Sequence, residues 1–121
     1  MKIGMMSFAH MHAYSYADSI MQIPGVELVA IFDEDQGRRS ELAKVYKTTC
    51  YSDQSEFLKL DLDAVIICSE NSRHKEMVIN AAKAKKHILC EKPIATNLKD
   101  AEEMIRVCED NQVILQVAYP V

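Results

Sequence analysis

Residues 63–93 read DAVIICSENSRHKEMVINAAKAKKHILCEKP. The stretch begins with an unbroken apolar run, Ala64-Val65-Ile66-Ile67-Cys68, which is the pattern of a strand buried on both faces. Polar residues follow. Met77, Val78, Ala81 and Ala82 then fall on one stripe at helical spacing over about 73–85. HILCE (87–91) is a second apolar run. A strand, a helix and a strand in this order form the unit of a parallel sheet, because the chain must cross over between parallel strands.

The alternation continues toward both ends. A first strand at residues 2–7 leads into a helix with Ala13, Ala17, Ile20 and Met21 at helical spacing, ended by Pro24-Gly25. VELVAIFD (26–33) is a second strand, and DQGRRSELAKVY (35–46) a second helix with Leu42, Ala43 and Tyr46 on one face. A weak strand around Cys50-Tyr51 and a helical turn at 53–60 complete the first half. After the opening stretch, Thr96 is a suitable N-cap for a helix that sets Leu98, Ala101, Ile105 and Cys108 toward the sheet. VILQVAY (113–119) is a sixth strand. The expected fold is α/β: a doubly wound parallel sheet of about six strands with helices on both faces, in one domain spanning 1–121.

Composition narrows the function classes. The 121 residues are 49% hydrophobic and 26% charged, with a formal charge of −4, an ordinary globular balance. Lys83-Ala84-Lys85-Lys86 is the main basic cluster, which argues against a nucleic-acid partner. No apolar run is long enough for a membrane span, and Ser7, His10 and His12 break any signal-peptide core. The N-terminus therefore reads as the first strand of a cytoplasmic protein. Cys50, Cys68, Cys90 and Cys108 are widely spaced with no C-x-x-C pair, which fits reduced, mostly buried thiols.

Ligands of doubly wound sheets bind beyond the carboxyl ends of the strands, where strand order reverses. The residues to inspect are then 7–12, Asp33, 69–74, 91–93 and Tyr119. Asp33 closes the second strand about 20 residues beyond the first turn, where an acid accepts both ribose hydroxyls of an adenosine and favours NAD. Arg38 and Arg39 stand nearby and suit a 2′-phosphate, so NAD and NADP both stay open. Ser69 and Asn71 are good helix-start residues, and His74 falls in the first turn. Glu91 and Lys92 lie side by side at a strand exit, followed by Pro93. A lysine so placed donates to a substrate oxygen; the bland alternative is an ion pair closing the strand end. His10 and His12 sit two apart, so they diverge on a helix, and the neighbouring sequence offers no third metal ligand. No metal is expected.

These residues together are similar to the N-terminal, NAD(P)-binding Rossmann domain of the Gfo/Idh/MocA oxidoreductases, the family of glucose–fructose oxidoreductase and inositol dehydrogenase. PGVELVAIFDED (24–35), Arg38, Tyr51-Ser52-Asp53 and residues 61–95 carry the likeness. An N-x-x-H step followed at the right distance by E-K-P is its most specific part. The resemblance implies that Asp33 holds the adenosine ribose and that Ser69, Glu70, Asn71 and His74 line the path of the pyrophosphate and nicotinamide ribose. It implies that Glu91 lies by the nicotinamide and that Lys92 is the catalytic contact to the reacting oxygen. The substrate implied is a small sugar- or cyclitol-like alcohol or carbonyl.

In the family's register Ser7, Ala9 and His12 take the three places of G-x-G-x-x-G, with Phe8, His10 and Met11 between and beside them. Serine and alanine are small enough for the first two glycine tasks; a histidine fits the third only if the helix stands off or tilts. Glu70 replaces a usual proline, and Lys85 a helix-ending glycine. The family's second, α+β domain has no counterpart here, so the chain reads as a fragment that is not catalytically competent alone. Two other readings compete: a non-catalytic dinucleotide-sensing module, and a receiver-type phosphoacceptor domain. The receiver needs an acidic pair after the first strand, where this chain reads MSFAH. A homo-oligomer is compatible with the full-length protein, since relatives dimerise largely through the second domain.

Overall fold

The computed structural model describes residues 1–92, 94–95 and 97–118. Pro93, Thr96 and Tyr119, each singled out above, lie outside these residues. The described elements are β1 (Lys2–Met6), α1 (His12–Gln22), β2 (Glu27–Phe32), α2 (Gln36–Tyr46), β3 (Thr49–Tyr51), α3 (Gln54–Leu58), β4 (Ala64–Ile67), α4 (His74–Lys83), β5 (His87–Glu91), α5 (Leu98–Asp110) and β6 (Leu115–Ala118). The strands form one sheet in the order β3-β2-β1-β4-β5-β6, and every neighbouring pair is parallel. The order reverses between β1 and β4, which opens a crevice at their carboxyl ends. A receiver-type sheet runs 2-1-3-4-5 instead, so the topology removes that reading.

Alternation along the strands divides the core between two faces. Met5, Ile31 and Ile66 point to α1 and α2, where they meet Ala13, Ala17, Ile20, Leu42 and Tyr46. Met6, Phe32, Val65 and Ile67 point the other way, to Phe57 of α3, Met77 and Ala81 of α4, and Met104 and Cys108 of α5. Gly4 is the tight point of this second face. A Cβ there would stand 2.6 Å from the Phe57 ring and 2.7 Å from Leu62. The β1–β2 register shifts at the same place, between Ile3 and Gly4.

Several local expectations are corrected. On α5 the buried stripe is Met104 and Cys108; Leu98 and Ile105 are exposed. Leu98 opens the helix, and the packing against α4 and the sheet turns Met104 inward instead. Met21 likewise falls outside the Ala13–Ala17–Ile20 stripe and is exposed. The N-cap of α5 is Asn97, whose side chain accepts the Asp100 N–H, one position beyond the expected Thr96. Neither Ser69 nor Asn71 caps α4. The chain enters that helix through a 3₁₀ turn at Asn71–Arg73, with no side-chain cap on either helical segment.

Cys68, Cys90 and Cys108 are buried and Cys50 partly so, all as free thiols. Burial, aided by the nearby Glu91 charge, pushes the Cys90 thiol up to about 12 and Cys68 higher still. No helix among the described residues is long and apolar enough to cross a membrane.

Candidate functional site

The turn after β1 is a tightly hydrogen-bonded loop rather than an open glycine cradle. Ser7 takes φ +76°, the left-handed region that the first glycine of a phosphate turn exploits, and it is fully buried. Its N–H donates to the Phe32 carbonyl at 2.6 Å, and its Oγ accepts the Ala9 N–H at 3.1 Å. Phe8 turns its ring into the core against Tyr14 and Tyr46, so only its backbone faces the site. The His10 N–H reaches across the crevice to the Cys68 carbonyl of the β4 exit at 2.9 Å. The Met11 side chain is exposed, and its N–H has no hydrogen-bond partner among the described residues. That N–H opens α1, where the helix end favours an anion.

His12 resolves its own steric difficulty. Its ring does not wedge between helix and sheet; it swings out across the strand ends to Glu91, with Nδ1 2.9 Å from Oε1. The other Glu91 oxygen accepts the Tyr16 hydroxyl at 2.8 Å. Burial opposes ionisation of Glu91, yet the hydrogen bonds from His12 and Tyr16 prevail and hold its carboxyl below the usual range. The same contact works in reverse on Tyr16: burial first, then the Glu91 carboxylate, raise the phenol well above its ordinary value. Tyr16 was not singled out in the sequence. It sits four residues beyond His12, on the same face of α1, and that spacing is the signal that would have found it.

Asp33 is buried at the β2 exit, and its carboxylate serves as a bracket. It accepts the Phe8 N–H at 2.8 Å, the Asp35 N–H at 2.8 Å and the Arg38 guanidinium at 3.0–3.1 Å. The hydrogen bond to Asp33, partly offset by burial, raises Arg38 further above its ordinary value. Next door, Glu34 receives the Ser7 hydroxyl at 3.3 Å. Glu34 Oε2 is buried without a hydrogen-bond partner among the described residues. A buried acceptor of this kind suits a donor such as a ribose hydroxyl. Glu34 is a second residue the sequence did not single out; the D-E-D run at 33–35 was its only trace.

The β4 exit divides by burial. Ser69 and His74 are buried, with His74 Nε2 3.1 Å from the Ser69 carbonyl, so this histidine shapes the loop from within. Glu70 and Asn71 are exposed at the β4 exit. Lys92 is exposed at the β5 exit, with no ion pair to Glu91 or any other described residue. The bland alternative, a Glu91–Lys92 ion pair closing that strand end, is not formed among the described residues; Glu91 meets His12 instead. A cavity of about 340 Å³ between α3 and α4, lined by Gln54, Leu58 and Asn80, lies away from all of these residues.

Known proteins place this geometry. The family model described as "Oxidoreductase family, NAD-binding Rossmann fold" matches residues 2–119. Myo-inositol 2-dehydrogenase of Thermotoga maritima is 36% identical over 117 residues, covering 95% of this chain and 35% of the relative. The NADP(+) scyllo-inositol 2-dehydrogenase IolU of Bacillus subtilis is 36% identical over 105 residues, covering 85% of this chain and 32% of the relative. Among solved structures, a probable dehydrogenase from Thermotoga maritima superposes with a TM-score of 0.91 at 33% identity, over 98% of this chain and 36% of its own. An Agrobacterium radiobacter oxidoreductase solved with NAD+, L-tartaric acid and magnesium gives 0.89 at 27% identity, over 97% and 34%. The chain spans about a third of the length of the curated relatives it matches. Its sheet order and these matches agree: the chain belongs to the Gfo/Idh/MocA oxidoreductase family, as its NAD-binding Rossmann domain.

Proposed function

We propose that this chain binds the dinucleotide of an oxidoreductase that moves hydride between nicotinamide and a sugar- or cyclitol-like alcohol or carbonyl. The observation that carries the reading is the β2 exit, where the Asp33 carboxylate and the orphaned Glu34 acceptor stand side by side. Two ribose hydroxyls would satisfy both, with Arg38 withdrawing from Asp33 to admit them. A 2′-phosphate would instead meet two carboxylates beside one guanidinium, so NAD is favoured over NADP.

The remaining residues follow from the strand exits. The Met11 N–H and the α1 N-terminus would take the pyrophosphate, and the small side chains of Ser7 and Ala9 leave room for its approach. Ser69, Glu70, Asn71 and His74 would shape the path toward the nicotinamide ribose. When bound, the nicotinamide supplies the hydride chemistry. Lys92, exposed and unpaired, would donate to the substrate oxygen and stabilise alkoxide charge there. The wall opposite Lys92 would come from an α+β domain of the kind found in full-length family members, so this chain alone would not turn over. We place the protein in the cytoplasm on the same reading.

Calorimetric titration of the chain with NAD and NADP tests it. Binding of NAD, tighter than NADP, is expected, with the preference reduced in Glu34→Gln. Absence of binding to either at millimolar concentration overturns the assignment.

A further inference from the structure

The fold brings together three residues that are far apart in sequence. His10, His12 and Glu91 each offer one ligand atom, and these atoms lie within 4.8 Å of one another. No third donor for the histidine pair stands near it in the sequence. The third comes from the exit of β5, across the sheet, because β1 and β5 both flank β4.

The arrangement has the marks of a built site. Glu91 is essentially inaccessible, and a buried carboxylate is ordinarily paired with a full positive charge or bound to a metal. Here its described partners are an imidazole and a phenol, while Lys92 turns outward. The His12 Nδ1–Glu91 Oε1 separation of 2.9 Å is close to the roughly 3.3 Å between neighbouring ligands of a tetrahedral ion with bonds of about 2.0–2.1 Å. The two imidazole rings lie 4.6 Å apart and both histidines are half-exposed, with His10 Nδ1 accepting the His12 N–H at 3.1 Å. Tyr16 holds the second Glu91 oxygen at 2.8 Å and fixes the carboxylate from behind, as outer partners of metal ligands do.

We propose that His10, His12 and Glu91 bind a divalent first-row transition ion, Zn²⁺ being the one best matched to two imidazoles and a carboxylate. The proton shared between His12 and Glu91 moves to His12 Nε2 as Nδ1 takes the ion. Three protein donors leave a further position open for water or a hydroxyl oxygen, beside the exit that carries Lys92. The site stands without the dinucleotide reading, since none of its donors depends on a bound nucleotide.

The test is a Co²⁺ titration of the reduced, tag-free chain without nucleotide, read by visible d–d absorption, with Zn²⁺ displacing the signal. A single equivalent is expected to bind. His10→Gln and His12→Gln, both half-exposed positions where folding is checked by circular dichroism, should abolish it, as should Glu91→Gln. Tyr16→Phe should weaken it about 10–100-fold. Three results overturn the proposal: no binding, unchanged binding in the folded His10→Gln and His12→Gln chains, or a sulfur-to-cobalt charge-transfer band that moves the ion to the thiols. NAD titration of the same His12→Gln chain reports on the nucleotide separately, so the two readings fail independently.

Discussion

Glu91 is the residue on which most of the strand-exit chemistry converges. It is buried, ionised and held by His12 on one oxygen and Tyr16 on the other. A carboxyl held below its usual range contributes stability above that range and loses it as the pH falls through it. Glu91→Gln should therefore be less stable than the parent near neutrality, with the gap narrowing as the pH falls below the ordinary glutamate value of about 4.3 and through the lowered one. Urea midpoints across that interval check this; a gap that stays constant would show that Glu91 acts by shape and not by charge. At this scale the sequence was partly readable. Asp33, Glu91 and Lys92 stand at strand exits because β-strand patterns mark where the exits are. Tyr16 and Glu34 escaped because their roles depend on partners brought by other strands. The steric objection to His12 was real for a ring packed under the helix and vanished once the ring pointed outward.

Among the elements, β1 is the most constrained. It is central, paired with both β2 and β4, and its Gly4 lies directly under the Phe57 ring. Gly4→Ala puts a methyl where aromatic and leucine carbons already sit, and overpacking of this kind costs about 1–3 kcal/mol. Chemical denaturation should show a lowered midpoint with little change in slope. Strand positions were legible because continuous apolar runs such as Ala64–Cys68 admit no competing pattern at that length. Helix faces were less so. On α5, Leu98 and Ile105 obey helical spacing as well as Met104 and Cys108 do, and only the neighbouring α4 decides which stripe is covered. Salt links from Lys75 to Asp100 and Glu103 lie along the same α4–α5 seam. The entry to α4 was also misjudged, because the chain uses a 3₁₀ turn where a capping side chain was expected.

Over the whole molecule, the two halves of the sheet meet at β1 and β4, and the site spans both. The Asp33 bracket belongs to one half, Glu91 to the other, and the turn at 7–12 touches each. A dinucleotide lying across that junction should stabilise the domain as one cooperative unit. At a nucleotide concentration about 100 times its dissociation constant the gain is about 2.7 kcal/mol. For a domain of this size that corresponds to a rise on the order of 10 °C in Tm. Differential scanning calorimetry would see one transition move; a split into two would show that the halves respond separately.

The buried thiols give that cooperativity a clock. With its acidity suppressed and its sulfur sealed beneath the sheet, Cys90 offers almost no thiolate to an alkylating reagent while the chain is folded. Cys68, just beyond the end of the neighbouring β4, is equally sheltered. Their labelling would thus proceed at the rate at which the centre of the sheet opens, and counting labelled sulfurs over time would distinguish fraying at the Cys50 edge from rupture of the middle.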